Sequence, residues 1–498
     1  MKTVLLIALS LFCIAFLFAC SDSSQENPGA PGIESSPSGQ VTGGPSLPPR
    51  EEPIEELTRP LEGEITILLQ EGLDKDIRIY AKMFTDLHPG VRIKFDTYGW
   101  IEDSSQLLAL TTRLLADPPD IFHYDATDMS VEKMASDALY VDLYELFRGT
   151  RGIDMDDYFS GVFSAIEERG SLYRVPIYVY LESNYLNKRL FDSIGVDAEQ
   201  IGALTLDDKI DFYYRAAEAN PGEQVYLEPR FSIMQVFSSE RLYDLDTKTV
   251  SVDTPAVRER LERAMGIPVN SDYVIFGPDV YRHIFGPHTT DYGLKKALQP
   301  NKHLFWQELS PELYQYVTIF LQCHPDNQIS MPVLQRAEDG SGYIFSAGCC
   351  FSIMKESDNI DLSWEFLRFI LEYDENLLWH KKYADYRGGL SANPINRARF
   401  EEQVFAALDT EVFPCAYSYV QIDAYITGTF EEYKEQLVVT TMDFLRDGME
   451  HLSVETRYNR AVMNSLVYPD VWLLHTDQQS IEQTLRNIQN RLELYIYE

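Results

Sequence analysis

The stretch Leu107–Asp128 constrains the fold more than any other part of the chain. It holds a helix, a forced stop, a buried strand and a polar tip in quick succession. Leu107, Leu110, Leu114 and Leu115 recur at helical spacing, so one face of that helix is apolar. Pro118 and Pro119 end it, because proline lacks an N–H and drives the preceding residue out of helical geometry. Asp120-Ile121-Phe122-His123-Tyr124 is short and largely apolar, as a strand covered on both faces is. Asp125–Asp128 follows as a polar tip. In an open α/β sheet, ligands sit just beyond the carboxyl ends of the strands, which is where Tyr124 and Asp125 fall.

The flanking chain repeats this alternation. Glu64–Leu69 reads as a first buried strand. Ile77, Tyr80, Ala81, Phe84 and Leu87 give an amphipathic helix that stops at His88-Pro89-Gly90. Val91, Ile93 and Phe95 alternate with polar residues as a second strand, and a further short helix is expected over Met129–Ser136. Strand, helix, strand, helix, strand implies parallel pairing with right-handed crossovers. The strand tips Gln70 and Glu71, then Tyr98, Gly99 and Trp100, then Tyr124 and Asp125 therefore line one edge. At the other end of the chain, Ile481, Leu485, Ile488, Leu492 and Tyr495 form the stripe of a closing amphipathic helix.

The amino terminus sets the compartment. Lys2, the apolar run Val4–Phe18 and the small Ala19 make a secretory signal, too short for an ordinary membrane span. Leu17-Phe18-Ala19-Cys20 resembles a bacterial lipobox, which would make Cys20 the lipidated mature amino terminus. Residues 20–62, rich in Gly, Pro and Ser, read as a disordered tether. The formal net charge of −36 argues against nucleic-acid backbones and anionic membrane surfaces as partners. Cys323, Cys349, Cys350 and Cys415 show no CxxC and no metal spacing. Small buried thiols account for them, and a disulfide from Cys323 or Cys415 to the adjacent pair is the alternative.

Several segments, in order, are similar to those of extracellular solute-binding proteins of ABC transporters, the maltose-binding-like family 1. Pro119–Asp125 (PDIFHYD) and His88–Tyr98 (HPGVRIKFDTY) belong to this set, as do Gly170–Pro176 and Tyr185–Asp192 (YLNKRLFD). Thr205-Leu206-Asp207-Asp208, with Leu206 where the family has tryptophan, continues it. So do Gly348–Ile353, Asp358–Ile370 and Gly388–Pro394. The likeness spans most of Glu64–Arg399 and is weakest over 268–307 and after Phe400. It implies an α/β fold of the two-lobed periplasmic-binding-protein type II, each lobe a mostly parallel sheet flanked by helices, joined by a multi-strand hinge. The expected layout is a signal at 1–19, a tether at 20–62, a first lobe from 63–175 and 333–385, and a second from 176–332 and 386–498.

A receptor of this kind needs no catalytic group, metal or cofactor. It needs a cleft that mixes aromatic faces with fixed polar groups. Sugars suit such a cleft, since their C–H faces pack on aromatic rings and their hydroxyls need partners. With 31 Tyr against 5 Trp, a tyrosine-rich cleft is expected. The candidate ligand residues are Glu71, Tyr98, Trp100, Tyr124 and Asp125 at strand tips, and Tyr178, Tyr180 and Glu182 in the first crossing. Tyr343 in the return segment and Tyr386 and Arg387 at the last crossing complete them. Tyr and Trp would stack, Asp125 and Glu182 accept from hydroxyls, and Arg387 donate. For each aromatic, core packing is the competing role, and for Glu182 a hinge salt bridge is. The expected partners are a small solute, most often a carbohydrate, the transmembrane permease subunits and, through the lipid anchor, the membrane, with the protein itself a monomer. No phosphate loop, GxSxG elbow or HExxH is present. Three other roles stay open: a ligand sensor feeding a receptor kinase, an exported hydrolase using paired carboxylates, and a peptide-binding member.

Overall fold

The structure, a computed structural model, describes residues 61–71, 74–101, 104–124, 139–149, 153–228, 233–238, 242–245, 247–268, 303–308, 333–338, 340, 342–372, 393–401, 442–455 and 462–497. Cys20 and the tether, Asp125, the helix expected at 129–136, Cys323, Tyr386, Arg387 and Cys415 lie outside the described residues.

β1 (Glu62–Gln70) pairs in parallel with β2 (Gly90–Tyr98) along its whole length, Glu62 opposite Gly90 and Gln70 opposite Tyr98. Between them α1 (Asp74–Leu87) buries Ile77, Tyr80, Ala81 and Phe84, the face its periodicity predicts, and stops before Pro89. α2 (Ser104–Ala116) leads to β3 (Ile121–Tyr124), which pairs in parallel with the other side of β1. Leu110 and Leu114 of α2 are buried, but Leu115 is exposed, because a residue one step beyond Leu114 turns about 100° off the buried stripe. Asp120 fixes the corner between α2 and β3. Its carboxylate accepts from Thr66 N–H (2.7 Å), Ser357 Oγ (2.5 Å) and Asn359 Nδ2 (3.2 Å).

The chain continues through α3 (Leu143–Gly149), α4 (Ser160–Ile166) and β4 (Val175–Leu181). It then enters β5 (Ser183–Leu186), α5 (Lys188–Ser193), β6 (Ala203–Leu204), α6 (Leu206–Ala219), the hairpin β7 (Tyr243–Asp244) and β8 (Thr249–Val250), and α7 (Pro255–Met265). β9 (Phe305–Glu308), β10 (Val333–Gln335) and β11 (Tyr343–Ile353) follow. Next come α8 (Ile360–Glu372), β12 (Asn393–Pro394), β13 (Leu452–Glu455), α9 (Tyr468–His475) and α10 (Ile481–Tyr497). Local caps explain two starts. Thr205 and Asp208 make a reciprocal capping box on α6, and Thr254 accepts from Val257 N–H ahead of Pro255 in α7.

Two sheets with separate cores result. The first runs β12-β4-β11-β3-β1-β2, with β13 on β11, and the second runs β6-β10-β5-β9. The strands that return, β11 and β12, run antiparallel to their neighbours β3 and β4. In the second sheet β10 pairs in parallel with β6 and antiparallel with β5, and β5 antiparallel with β9.

At the three expected lobe boundaries, strand pairing and core packing differ from the expected layout. β4 lies in the first sheet, because β11 and β12 pair with it on both sides, so the chain changes lobes near Glu182 rather than at 176. β10 lies in the second sheet, which moves the return from 333 to 336–342. Ile395, Phe400, Met442, Leu445, Met449 and Leu452 pack in the first core, and the second core resumes at Val462. Described parts of the tail, 393–401 and 442–452, therefore pack in the first core, and 462–497 in the second.

Candidate functional site

Two crossings run side by side between the lobes. Glu182 N–H donates to Ile344 O (3.2 Å), and Glu182 O accepts from Gln335 N–H (2.8 Å). One residue of the outgoing strand is thus held by the returning strand of each lobe. The return makes a tight turn, with Ala337 N–H donating to Gly342 O and Gly340 N–H to Ala337 O, both 3.0 Å. Gly340 and Gly342 sit at φ +74° and +150°, where side chains are strained. Gly448, near the end of the helix at 442–450, packs against the strands on either side of the crossing. A Cβ there would lie 2.9 Å from Leu181 Cδ1 and 3.1 Å from Leu334 Cδ1.

On β4 the alternation expected from the sequence is present. Val175, Ile177, Val179 and Leu181 are buried in the first core, while the alternate residues Tyr178, which packs against that core, and Tyr180 are half-buried. Their rings meet edge to face, centroids 5.3 Å apart at 74°. Opposite them on β11 are Gly348, across from Tyr178, and Ser346, across from Tyr180. Tyr178 Oη hydrogen-bonds with Cys349 Sγ at 2.8 Å. Burial, with Cys349 and Tyr180 beside it, pushes the Tyr178 hydroxyl well above its ordinary pKa, so it stays neutral. Cys349 has φ +45°, and Cys349 and Cys350 are both buried.

The other candidates divide. Trp100, beyond the end of β2, is 41% exposed, and Glu71 is exposed after β1, its N–H donating to Tyr98 O at 2.8 Å. Tyr343 is half-buried beside the hinge and donates to Asp447 Oδ2 at 3.2 Å. Burial and the Asp447 charge raise its hydroxyl. Glu182 is buried within the crossing itself. Tyr98 and Tyr124, expected at the strand tips as ligand residues, are buried. Tyr124 is fully buried and stacks on Phe122 at 4.9 Å, and Tyr98 donates to His123 O at 3.3 Å. Both side chains are buried in the first core, Tyr124 on β3 beside β11 and Tyr98 at the end of β2.

The sequence reading missed Gly348, Cys349, Asp447 and His451. A glycine inside a strand signals close approach of another group, and Gly348 gave that signal. Asp447 and His451 (Nδ1 to Oδ1 3.2 Å) carry no motif, and only the fold brings them to Tyr343. Among the described residues, no group of His, Cys, Asp or Glu is arranged to hold a metal ion, and no helix is long and apolar enough to cross a membrane.

No protein-family model and no curated protein matches the sequence. The architecture is nevertheless that of two-lobed solute-binding proteins. The sugar-binding protein MalE from Xanthomonas citri aligns with a TM-score of 0.55 and 14% identity, over 87% of this chain and 98% of that one. A periplasmic oligogalacturonide-binding protein from Yersinia enterocolitica gives 0.55 and 12%, over 87% and 99%. An ABC substrate-binding protein from Listeria monocytogenes, in complex with cycloalternan, gives 0.52 and 13%, over 88% and 99%. The chain shares the fold of these maltose-binding-like proteins over 87–88% of its length.

Proposed function

We propose that this protein is the extracytoplasmic solute-binding component of an ABC importer, which takes a small carbohydrate between its lobes and presents it to a permease. The observation that carries the reading is the pair of lobes joined by crossings at Glu182 and at 336–342, with the half-buried Tyr178 and Tyr180 on the strand that leads into the first crossing. A ligand that touches both lobes only in the closed form shifts the equilibrium towards closure. The similar structures support a sugar as the solute, one being a complex with cycloalternan and another an oligogalacturonide-binding protein. Trp100, Tyr178, Tyr180 and Tyr343 are the rings assigned to stacking. Glu71 and Glu182 are assigned as hydroxyl acceptors, and the unlocated Asp125, Tyr386 and Arg387 keep their expected roles. Cys20 is the lipidated residue in this reading, and the tether lets the receptor reach its permease.

A thermal-shift screen of the chain from Ser21 tests it, using neutral and acidic oligosaccharides, amino acids, peptides and divalent metals. A solute that binds only the folded state stabilises it by about 2.7 kcal/mol at a hundredfold excess over Kd. A raised midpoint with one sugar class, together with loss of uptake of that sugar on deletion, is the expected result. A shift with peptides or metals alone overturns the carbohydrate assignment. Loss of gene induction with uptake intact makes the protein a sensor. Release of product from an oligosaccharide makes it a hydrolase.

A further inference from the structure

We infer that Gly348 is a positioning residue for the solute: its bare backbone lets Tyr178 and Tyr180 lie down as a two-ring, uncharged floor at the junction of the lobes. The inference rests on the solute-binding reading.

Directly opposed residues of an antiparallel pair point to the same side, so Gly348 lies under Tyr178, with Tyr180 diagonal to it. A Cβ on Gly348 would lie 2.3 Å from Tyr178 Cε2, 2.7 Å from Tyr178 Cδ2 and 2.7 Å from Tyr180 Cε2. Both rings occupy the volume that any side chain would take, so any other residue lifts at least one of them. The edge-to-face contact between the rings, at 5.3 Å, ties the second ring to the first. Cys349 completes the arrangement. Its φ of +45° departs from strand geometry, and its thiol meets the Tyr178 hydroxyl. That hydroxyl is engaged beneath the floor, so Tyr178 acts through its ring.

The chemistry of the floor restricts the solute. Tyr178, Tyr180, Ser346 and Gly348 carry no charge, in a chain whose formal net charge is −36. Two ring surfaces suit a neutral solute with a C–H face, such as a pyranose, and these four floor residues themselves offer no counter-ion to a uronate carboxylate.

A tyrosine over a strand glycine also shields backbone, so the test must separate affinity from stability. Kd is measured by calorimetry on the chain from Ser21, with maltotriose as the neutral probe and trigalacturonate as the charged one. Near-UV circular dichroism verifies folding at low temperature. Wild type is expected to prefer maltotriose. Gly348→Ala should weaken maltotriose binding about tenfold in the folded protein, as displacing two stacking rings predicts. Tyr178→Phe, which keeps the ring, should stay within about twofold, since the hydroxyl faces Cys349. Adding Gly348→Ala to Tyr178→Ala/Tyr180→Ala should change Kd no further, because no ring is left to displace. If Gly348→Ala does not fold, Tyr180→Ala reads the same floor with the glycine intact and should lose affinity similarly. A folded Gly348→Ala with wild-type Kd, or Tyr180→Ala with wild-type Kd, overturns the proposal alone. Wild type that binds neither probe overturns it together with the solute-binding reading.

Discussion

Glu338, on the return crossing, accepts from the backbone N–H of Leu206 at 2.7 Å and so caps a helix of the second lobe. The same carboxylate accepts from Asp207 N–H at 3.3 Å and lies 3.4 Å from Arg260 Nη2. Arg260, almost wholly buried, also holds Asp207 through two hydrogen bonds of 2.9 and 2.7 Å. The crossing is therefore fastened to α6 and α7 before it turns towards the first lobe.

Glu338→Ala should cost about 1–2 kcal/mol, the loss of a cap plus part of an ion pair. Arg260→Ala should cost about 2–3 kcal/mol, because Asp207 and Glu338 are left facing each other, and the 41% exposure of Asp207 lets water relieve part of that. Urea unfolding measures both. Equal and negligible losses would show that the fastening does not exist in solution.

Stability should peak at mildly acidic pH. Burial raises the carboxyls of Glu338, Glu365 and Glu372 above their ordinary value of 4.5. A carboxyl whose folded pKa is raised binds its proton more tightly in the fold, so stability grows as pH falls through that value and is fully gained below 4.5. Asp207 is lowered by its hydrogen bond from Arg260, and Glu450 by that from Arg397, so their contributions exist above 3.8 and 4.5 and vanish as pH falls through the lowered values. Relief of self-repulsion in a chain of charge −36 adds to the rise. A Tm series from neutral to strongly acidic pH should climb and then fall, and Glu338→Gln should flatten the climb. A steady decline from neutrality would contradict the assignment.

The buried pair Lys209–Glu228 should behave as a unit. Their heads are 2.9 Å apart with side chains 1% and 2% exposed, and Lys209 Nζ lies 5.6 Å from the centre of the Phe305 ring. Removing one partner strands a charge in the second core, so Lys209→Met should cost about 3–5 kcal/mol. Lys209→Met/Glu228→Leu should recover most of that, because the isolated charge is gone. Chemical denaturation of the cycle measures the coupling. Additive losses in the double variant would refute it.

How much of this was legible follows from where each signal resides. The parallel β1, β2 and β3 could be read because each carries a local period and a local stop, and Thr254-Pro255 announced its own helix start. Tyr178 and Tyr180 could be read because alternation on one strand is also local. The lobe boundaries could not, since membership of β4 depends on β11 and β12, far away in the sequence. Tyr124 was misread for a related reason. A strand tip looks exposed until the strand that covers it is known, and here that strand is β11, with Cys350 opposite Tyr124.

Trp100 and Tyr124 turn that difference into a measurement. Both end first-lobe strands, yet Trp100 is 41% exposed and Tyr124 is fully buried on Phe122. Tyr124→Ala should open a cavity and cost about 3–5 kcal/mol, as large-to-small changes of buried aromatics do. Trp100→Ala should change stability by about 0.5 kcal/mol or less, since a half-exposed ring leaves no cavity. In solute binding the order reverses. Trp100→Ala removes a stacking face and should weaken the sugar about tenfold, while Tyr124→Ala should leave Kd near wild type in its folded fraction. Urea unfolding and calorimetry on the two variants give all four numbers. A Trp100→Ala protein with unchanged Kd would remove the β2 tip from the site and leave the solute to the tyrosine floor and Tyr343.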